Sequence, residues 1–342
     1  EMAQIVAKAL AKGANVDKLA AEFADELDAL GVRVAALEKK SDNVKITGQF
    51  RYAYQSNKFG DDKSYSNKIR SRIWFTGKVN DSWNYVGMLE NDHNIKLNTN
   101  ADNETTNFQR AYLQGRLGGL KTFAGRFNKA RLSGGDLYGT RMDGIDFTYG
   151  DKVKLNAFYG KPTNARLKID GAKPDEYWGV NVSADLGKNL NLFAGYDQAK
   201  NDDSKKDKIF DVGLKFKFAK KAELGATYLH AKLDEAAAGS SKNGYIFELG
   251  YGGAKAAKVG SWGIGAKYYH LPAGGFVANA WEAMDNPVNV AWYQEGVKGW
   301  WARANYTVAK NMIAQAEYWD MKSRVEGNVK NKALFTALYV SF

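Results

Sequence analysis

The stretch NKALFTALYVSF, residues 331–342, alternates its side chains with the period of a β-strand. Counting back in twos from the last residue to Leu334, one face is apolar with the single exception of Thr336. Terminal residues of soluble domains are usually frayed and polar, whereas this stretch is aromatic at its last residue. It is either a buried edge strand of a soluble domain or, as we favour, the closing strand of an outer-membrane barrel. The apolar residues of that face are Leu334, Leu338, Val340 and Phe342.

The composition favours many strands joined by tight turns. The 342 residues include 35 Gly, 19 Tyr, 17 Phe and 9 Trp but only 4 Pro. The absence of Cys excludes disulfides, zinc–thiolate sites and thiol catalysis. No stretch approaches the 18 consecutive apolar residues of a membrane-spanning helix. If the chain crosses a membrane, we therefore expect it to do so as a barrel.

The positive charge is concentrated in one part of the chain. Residues 1–43 hold six Lys or Arg against eight Asp or Glu, a net charge of −2. Because the whole chain has a net charge of +11, residues 44–342 carry +13. Nucleic acid is one partner for such a surplus. However, the chain has no basic helix, and its Arg residues fall at alternate positions of strand-like segments. A basic channel interior explains the charge better, and we predict no nucleic-acid partner.

Residues 14–40 differ in character from the rest, because their apolar residues follow alternating spacings of four and three. This heptad pattern predicts a helix with a narrow apolar seam, which requires partner helices. We expect a coiled-coil stalk that associates as a trimer; the alternative is a single amphipathic helix packed on its own domain. The polar sequence KKSDN, residues 39–43, ends the pattern. The seam consists of Val16, Ala20, Phe23, Leu27, Leu30, Val34 and Leu37.

From Val44 onward, alternation and turn signals predict sixteen strands. The connections between them alternate between short and long, as in outer-membrane barrels with short periplasmic turns and long outer loops. We therefore expect an all-β membrane protein, a 16-stranded antiparallel transmembrane barrel that follows an N-terminal α-helical coiled-coil stalk. The predicted strands cover residues 44–56, 67–79, 82–92, 106–117, 119–127, 141–149, 152–161, 176–187, 189–199, 208–219, 221–232, 243–252, 260–271, 297–308, 311–323 and 331–342.

In several predicted strands the charged residues share one face and the apolar residues the other. We expect the apolar face to contact lipid and the charged face to line an aqueous lumen. The connection of residues 128–140 contains Gly134-Gly135 and short polar residues, which suit an irregular fold inside that lumen. Opposed charges across a narrow passage would select solutes; alternatively, the arginines only pin the loop to the wall by ion pairs. The predicted pore residues are Arg51, Arg70, Arg72, Arg110, Arg126, Arg141 and Arg303, with Asp136 and Asp143 as facing carboxylates.

Enzymatic and metal-binding functions find no support in the sequence. The three His residues, His93, His230 and His270, show no metal-ligand spacing, and no Ser stands beside them. The loop of residues 201–208 has oxygen ligands of the kind that calcium prefers, but its interleaved Lys residues favour a solvated loop. We predict no catalytic residue, no metal and no cofactor.

Three successive segments carry a family resemblance. EMAQIVAKAL, residues 1–10, resembles the closing helix of an S-layer-homology domain, with Glu1 as the last residue of its Thr-Arg-x-Glu motif. ELDALGVRVAALEKK, residues 26–40, resembles a stalk, and the predicted barrel follows it. This order is similar to that of the OmpM-type outer-membrane porins of diderm Firmicutes. We assign residues 1–12 to the remnant of an S-layer-homology domain, 13–43 to the stalk and linker, and 44–342 to a porin barrel.

The resemblance implies a homotrimeric general-diffusion porin that lies in outer-membrane lipid and passes small hydrophilic solutes. It implies a periplasmic stalk whose S-layer-homology domain tethers the membrane to peptidoglycan or its attached polymer; most of that domain is missing here. In such porins the third long loop folds into the lumen, and a terminal aromatic residue, here Phe342, serves as the assembly signal. A structural tether with a plugged barrel is one alternative. A substrate-specific channel is another, for which the inward aromatic candidates are Trp74, Trp301 and Trp319.

Overall fold

The computed structural model describes residues 44–95, 106–129, 136–163, 173–201, 203–234, 236–277, 281, 294–325 and 330–342. The chain divides into two compact units, Glu1–Lys45 and Ile46–Phe342. The seam of the predicted stalk, from Val16 to Leu37, lies outside the described residues and stays a prediction. No described helix is long and apolar enough to cross a membrane. Before residue 44, the described residues are Ile5, Lys8, Ala9, Asp25, Glu26 and Asp28, all with helical backbone.

The second unit is built from β-strands whose side chains alternate between two environments. In the last strand, Ala333, Phe335 and Ala337 are buried, while Leu334 between them is 40% exposed. The strands are β1 Val44–Phe59, β2 Asp62–Lys78, β3 Trp83–Asn94, β4 Asn107–Leu117, β5 Leu120–Asn128, β6 Arg141–Tyr149, β7 Val153–Pro162, β8 Glu176–Leu186, β9 Leu190–Lys200, β10 Lys206–Ala219, β11 Ala222–Leu233, β12 Asn243–Gly252, β13 Trp262–Leu271, β14 Val297–Ala309, β15 Met312–Ser323 and β16 Lys330–Ser341.

These sixteen strands form one closed barrel, in which each strand pairs with its neighbours in sequence and β16 pairs with β1. The closing ladder is antiparallel and pairs Tyr52 with Leu338. It continues to the last residue, because Gly48 N donates to Phe342 O at 2.7 Å and Phe342 N donates to Gly48 O at 3.0 Å. The predicted antiparallel 16-stranded barrel is confirmed. The role of Phe342 as an assembly signal stays a prediction.

Glycines form several of the short turns. Gly118, Gly150 and Gly187 have φ angles of 58°, 92° and 70°, which L-residues with a side chain rarely adopt. They connect β4 to β5, β6 to β7 and β8 to β9, so these three short connections lie at the same end of the barrel. The sorted connections predicted from the sequence are confirmed for these turns.

One predicted loop is wrong. Residues 57–66 were expected to form a long connection, but β1 and β2 extend into this stretch and only Gly60 and Asp61 connect them. The extension contains the aromatic residues Phe59 and Tyr65, and the ring of Tyr65 stacks on that of Tyr54 at 6.4 Å across the hairpin. Cross-strand aromatic pairs stabilise a hairpin, so the strands continue where turn-like polar residues indicated a loop.

The outer face of the barrel is apolar, and the inner face carries the charges. On β10, Phe210 and Val212 are each 43% exposed, whereas Asp211 between them is fully buried. On β1, Tyr52 is exposed beside the buried Arg51. Because side chains of a strand alternate between its two faces, this pattern confirms the assignment of apolar residues outward and charged residues inward for these strands.

Candidate functional site in the barrel lumen

The loop between β5 and β6, the β5–β6 loop of residues 129–140, folds against the inner wall. Of its described residues, Leu137 and Tyr138 are almost completely buried. The Tyr138 ring stacks on that of Tyr177 in β8 at 4.8 Å, and its hydroxyl donates to the backbone oxygen of Arg141 at 2.7 Å. Val180, three residues further along β8, is exposed on the outside. Because successive side chains of a strand point to opposite faces, the buried Tyr177 points inward. The loop therefore lies inside the barrel, as expected from the sequence.

The same loop reaches a distant part of the wall through Asp136. Its carboxylate accepts hydrogen bonds from Lys267 Nζ at 2.7 Å and from the Tyr269 hydroxyl at 2.8 Å, both on β13. Burial raises the pKa of the Asp136 carboxyl, but Lys267 and Tyr269 outweigh burial, so this pKa lies below its usual value. Lys267 also pairs with Glu248 at 3.1 Å. Asp136 is thus a latch between the loop and β13, and not a free carboxylate facing the arginines.

A second segment joins it inside the barrel. In the loop between β13 and β14, the β13–β14 loop of residues 272–296, Phe276 and Val277 are buried and Trp281 is 3% exposed. Val277 N donates to Leu137 O at 2.9 Å, which connects the two loops. The Trp281 ring lies 5.3 Å from that of Trp319 on β15. Sequence reasoning left this loop without a role, although its apolar stretch GGFVANAW, residues 274–281, was a signal for burial.

Three predicted pore arginines line one wall of the lumen, each close to a carboxylate on β3. Arg72 donates a hydrogen bond to Glu90, and Arg70 Nε lies 4.0 Å from the same carboxylate. Arg51 lies 3.9 Å from Asp92. The sequence analysis missed Glu90 and Asp92, although their alternate positions in the third strand were visible. The positive charge of these three arginines is therefore partly balanced by their own wall.

Arg110 and Arg141 differ from these three. Within the described part of the chain, neither guanidinium forms a hydrogen bond or ion pair, and Arg110 Nε is buried without a partner. The charges of Arg110 and Arg141 repel each other, and both interact with Arg72 and Glu90. Arg110 faces inward because it pairs in the ladder with Met88, which is buried on the inner face of β3. This pair forms the unbalanced positive centre of the arginine wall.

Arg126 and Asp143, also predicted pore residues, are paired with each other. Arg126 Nε and Nη2 lie at 2.7 Å from the two carboxylate oxygens of Asp143, in a two-pronged ion pair between β5 and β6. Their strand neighbours Phe127 and Met142 are the residues buried against the interior. The charges of Arg126 and Asp143 act on Arg141, and that of Asp143 also acts on the Tyr138 hydroxyl, so the ion pair lies in their neighbourhood. Asp143 therefore balances Arg126, and its role as a carboxylate facing the other arginines across a passage stays a prediction.

Arg303, the last predicted pore arginine, lies on β14 and faces another part of the lumen. Its guanidinium stands 5.2 Å from the ring centre of Trp301. The Trp301 and Trp319 indoles both donate to Glu317 Oε2, at 3.2 and 3.3 Å. A cavity of about 500 Å3 opens beside them, lined in part by Lys217, Glu248 and Arg303. Trp301 and Trp319 are mostly buried, so they support the β13–β14 loop and form no open aromatic path.

The chemistry of the lumen is electrostatic. Among the described residues, no cluster of His, Asp or Glu could hold a metal ion. The groups that meet the aqueous space are fixed ion pairs, the arginines without a carboxylate partner in the described part of the chain, and the polar edges of the two loops. Fixed charges beside an aqueous passage act on solutes through their charge and size.

Solved structures similar to this chain are porins. A mutant of the Rh. blastica porin has 15% identity and a TM-score of 0.54, with 87% of this chain and 100% of that chain covered. OmpT from Vibrio cholerae without its loop L8, an outer membrane protein, has 17% identity and a TM-score of 0.54 over the same shares. No protein-family model and no curated protein matches the chain. Identities this low establish the fold alone, which is the porin fold.

Proposed function

We propose that the protein is an outer-membrane general-diffusion channel for small hydrophilic solutes, with a preference for anions. The observation that carries this proposal is the pair Arg110 and Arg141, two inner-wall cations without partners in the described part of the chain. A fixed positive centre in a narrow aqueous passage raises the local concentration of anions. Its balanced surroundings, such as Arg72 with Glu90, keep the passage polar enough for uncharged solutes.

The outer surface supports a membrane location. A closed barrel leaves no strand edge unpaired, which is the condition for spanning lipid with strands. Large apolar side chains are exposed around its outside, for example Val180, Phe210, Phe247 and Leu249. In water such a surface would cause aggregation, whereas hydrocarbon solvates it. The short turns then face the periplasm and the long connections face outward.

A second candidate is a structural tether whose barrel is plugged. The observation that favours it is the contact of the two loops inside the lumen, where Val277 N donates to Leu137 O. Liposome swelling separates the two functions. Vesicles that contain the protein should swell in iso-osmotic arabinose as the sugar enters, whereas a plugged barrel admits none. An absence of swelling, in protein that still migrates as a heat-modifiable barrel on gels, would reject the channel.

The remaining parts of the proposal concern assembly. We infer that the chain forms homotrimers through the stalk of residues 13–43, and that an S-layer-homology domain tethers the membrane to the cell wall. The heptad seam of the sequence, from Val16 to Leu37, supports the trimer. The separation of Glu1–Lys45 as a compact unit agrees with an independent module. Unheated gels of the full chain and of residues 41–342 test this: the trimer band should weaken without the stalk.

A further inference from the structure

The loop end of the barrel carries a row of lysines on its outer face. In the ladders of β14, β15 and β16, Lys298 pairs with Lys322 and Lys322 with Lys330. Their strand neighbours Val297, Met321 and Asn331 are buried in the interior, so alternation turns the three lysines outward. Three ammonium groups therefore stand side by side on adjacent strands.

Two further lysines repeat the arrangement nearby. Lys208 on β10 pairs directly with Lys232 on β11, again at the loop end and beside the buried residues Ile209 and Ala231. No ion pair of any of these lysines occurs in the described part of the chain. We name the set the cationic arc; it consists of Lys208, Lys232, Lys298, Lys322 and Lys330.

Some other cations near the loop end have carboxylate partners. On β5 and β6, Arg126 is neutralised by Asp143, and on β7 Lys161 pairs with Asp175. Two residues along the strands from Lys330 and Lys322, Lys332 on β16 forms an ion pair with Asp320 on β15 at 3.2 Å. In the arc, by contrast, lysines stand directly opposite one another on neighbouring strands, and they have no carboxylate partner in the described part of the chain. This arrangement indicates a negatively charged partner there.

Like charges directly opposite each other in a sheet are destabilising, so the arc requires a counter-charge. The height of the arc along the barrel indicates which group supplies this counter-charge. Two residues along the strand from Lys298 stands Trp300, whose ring packs on Tyr318 at 5.2 Å, and Tyr268 lies on the adjacent strand. Rows of Trp and Tyr mark the boundary between hydrocarbon and headgroups. The lysines lie about 7 Å beyond this row, at the depth of lipid phosphates.

We propose that the cationic arc binds the phosphate groups of anionic lipids in the leaflet at the loop end of the barrel. Each phosphate would accept hydrogen bonds from two neighbouring ammonium groups, such as those of Lys298 and Lys322, and remove their repulsion. The indole and phenol groups below would contact the start of the acyl chains. This inference rests on the membrane location proposed above, but it assigns a binding site outside the lumen.

The test uses full-length protein in a neutral detergent and measures the thermal midpoint after addition of lipid. The variant Lys298→Gln/Lys322→Gln/Lys330→Gln removes three charges of the arc. The matched control Lys152→Gln/Lys188→Gln/Lys310→Gln removes three charges at the turn end. The probes are phosphatidylglycerol, phosphatidylcholine and inorganic phosphate, each added at increasing concentration to separate lipid phosphate from free phosphate.

Phosphatidylglycerol should raise the midpoint of the wild type and of the control more than phosphatidylcholine does. The arc variant should bind phosphatidylglycerol about 100-fold more weakly, and without lipid it should be at least as stable as the wild type, because the repulsion is gone. Equal lipid preference in the arc variant, or equal loss in the control, would overturn the proposal. Stabilisation of the wild type by inorganic phosphate to the same extent as by phosphatidylglycerol would also overturn it.

Channel conductance separates this proposal from the proposed function. The lysines of the arc point away from the lumen, so the arc variant should conduct with unchanged amplitude and ion selectivity. Lost lipid preference with normal conductance supports both proposals, whereas retained lipid preference without conductance rejects the channel alone. A changed ion selectivity in the arc variant would show that these lysines act on the lumen and would overturn their assignment to the lipid face.

Discussion

Ion selectivity is the property that most directly depends on the arginine wall. We expect the variant Arg110→Gln/Arg141→Gln to lose most of the anion preference, because these two cations have no carboxylate partner in the described chain. Arg72 contributes less, since Glu90 neutralises it. The matched control is Arg126→Gln/Asp143→Asn, which removes a complete ion pair and leaves the net charge unchanged.

The size of the effect follows from Coulomb's law. At about 6 Å in water a unit charge changes the energy of an ion by about 0.7 kcal/mol, which salt of about 0.1 M reduces to about 0.4 kcal/mol. An arginine attracts the anion and repels the cation, so each contributes about 0.8 kcal/mol to the difference between them. Arg110 and Arg141 together give about 1.5 kcal/mol, an anion preference of about tenfold.

The assay is the reversal potential of single channels in a planar bilayer under a gradient of potassium chloride. The wild-type potential should indicate anion preference, the double glutamine variant should lie near zero, and the ion-pair control should match the wild type. The reasoning is refuted if the control shifts as much as Arg110→Gln/Arg141→Gln does, or if selectivity is unchanged in the latter. Raising the salt concentration should reduce the wild-type preference, because the Debye length shortens.

Three more predictions concern the loops and the wall. Asp136→Asn should cost about 2 kcal/mol of hydrogen bonding to Lys267 and increase current noise in single-channel records, since the β5–β6 loop loses its latch. Because the pKa of Asp136 is lowered, the latch is stable above the usual carboxyl pKa and is lost only as pH falls through the lowered value. Wild-type current noise should therefore stay constant from about pH 7 to about pH 4 and rise below it. A rise at higher pH would contradict the latch. Gly144→Ala places a Cβ 2.2 Å from the Tyr159 backbone oxygen and should lower the free energy of unfolding by about 2 kcal/mol in urea, whereas Gly250→Ala, with no atom within 4 Å of the new Cβ, should change it little.

The two inner loops give the barrel its asymmetry. The β5–β6 loop contacts β8 through Tyr138 and β13 through Asp136, so it crosses between separate parts of the wall. The β13–β14 loop fills the space beside β13 and β15 with Phe276 and Trp281. This packing places the apolar loop contacts on the side of β13 and away from the arginine wall of β1 to β4.

The barrel was predictable because its signal is local. A strand places successive side chains on opposite faces, so alternation along segments such as residues 331–342 indicates both the strand and its outward face. Turn glycines such as Gly118 and Gly150 added the boundaries. Each of these signals spans a few residues, and no contact distant in sequence was needed to interpret it.

The pairing of charges was decided only by the tertiary structure. Arg72 meets Glu90 and Arg126 meets Asp143 because strand register sets their neighbours, and a shift of one residue would have given other partners. Asp136 meets Lys267, 131 residues later in the chain, because the loop crosses the lumen. The sequence by itself therefore determined the strands, their faces and an excess of inward arginines. Which arginines keep a free charge depends on register and on the loop path, and these are properties of the closed barrel as a whole.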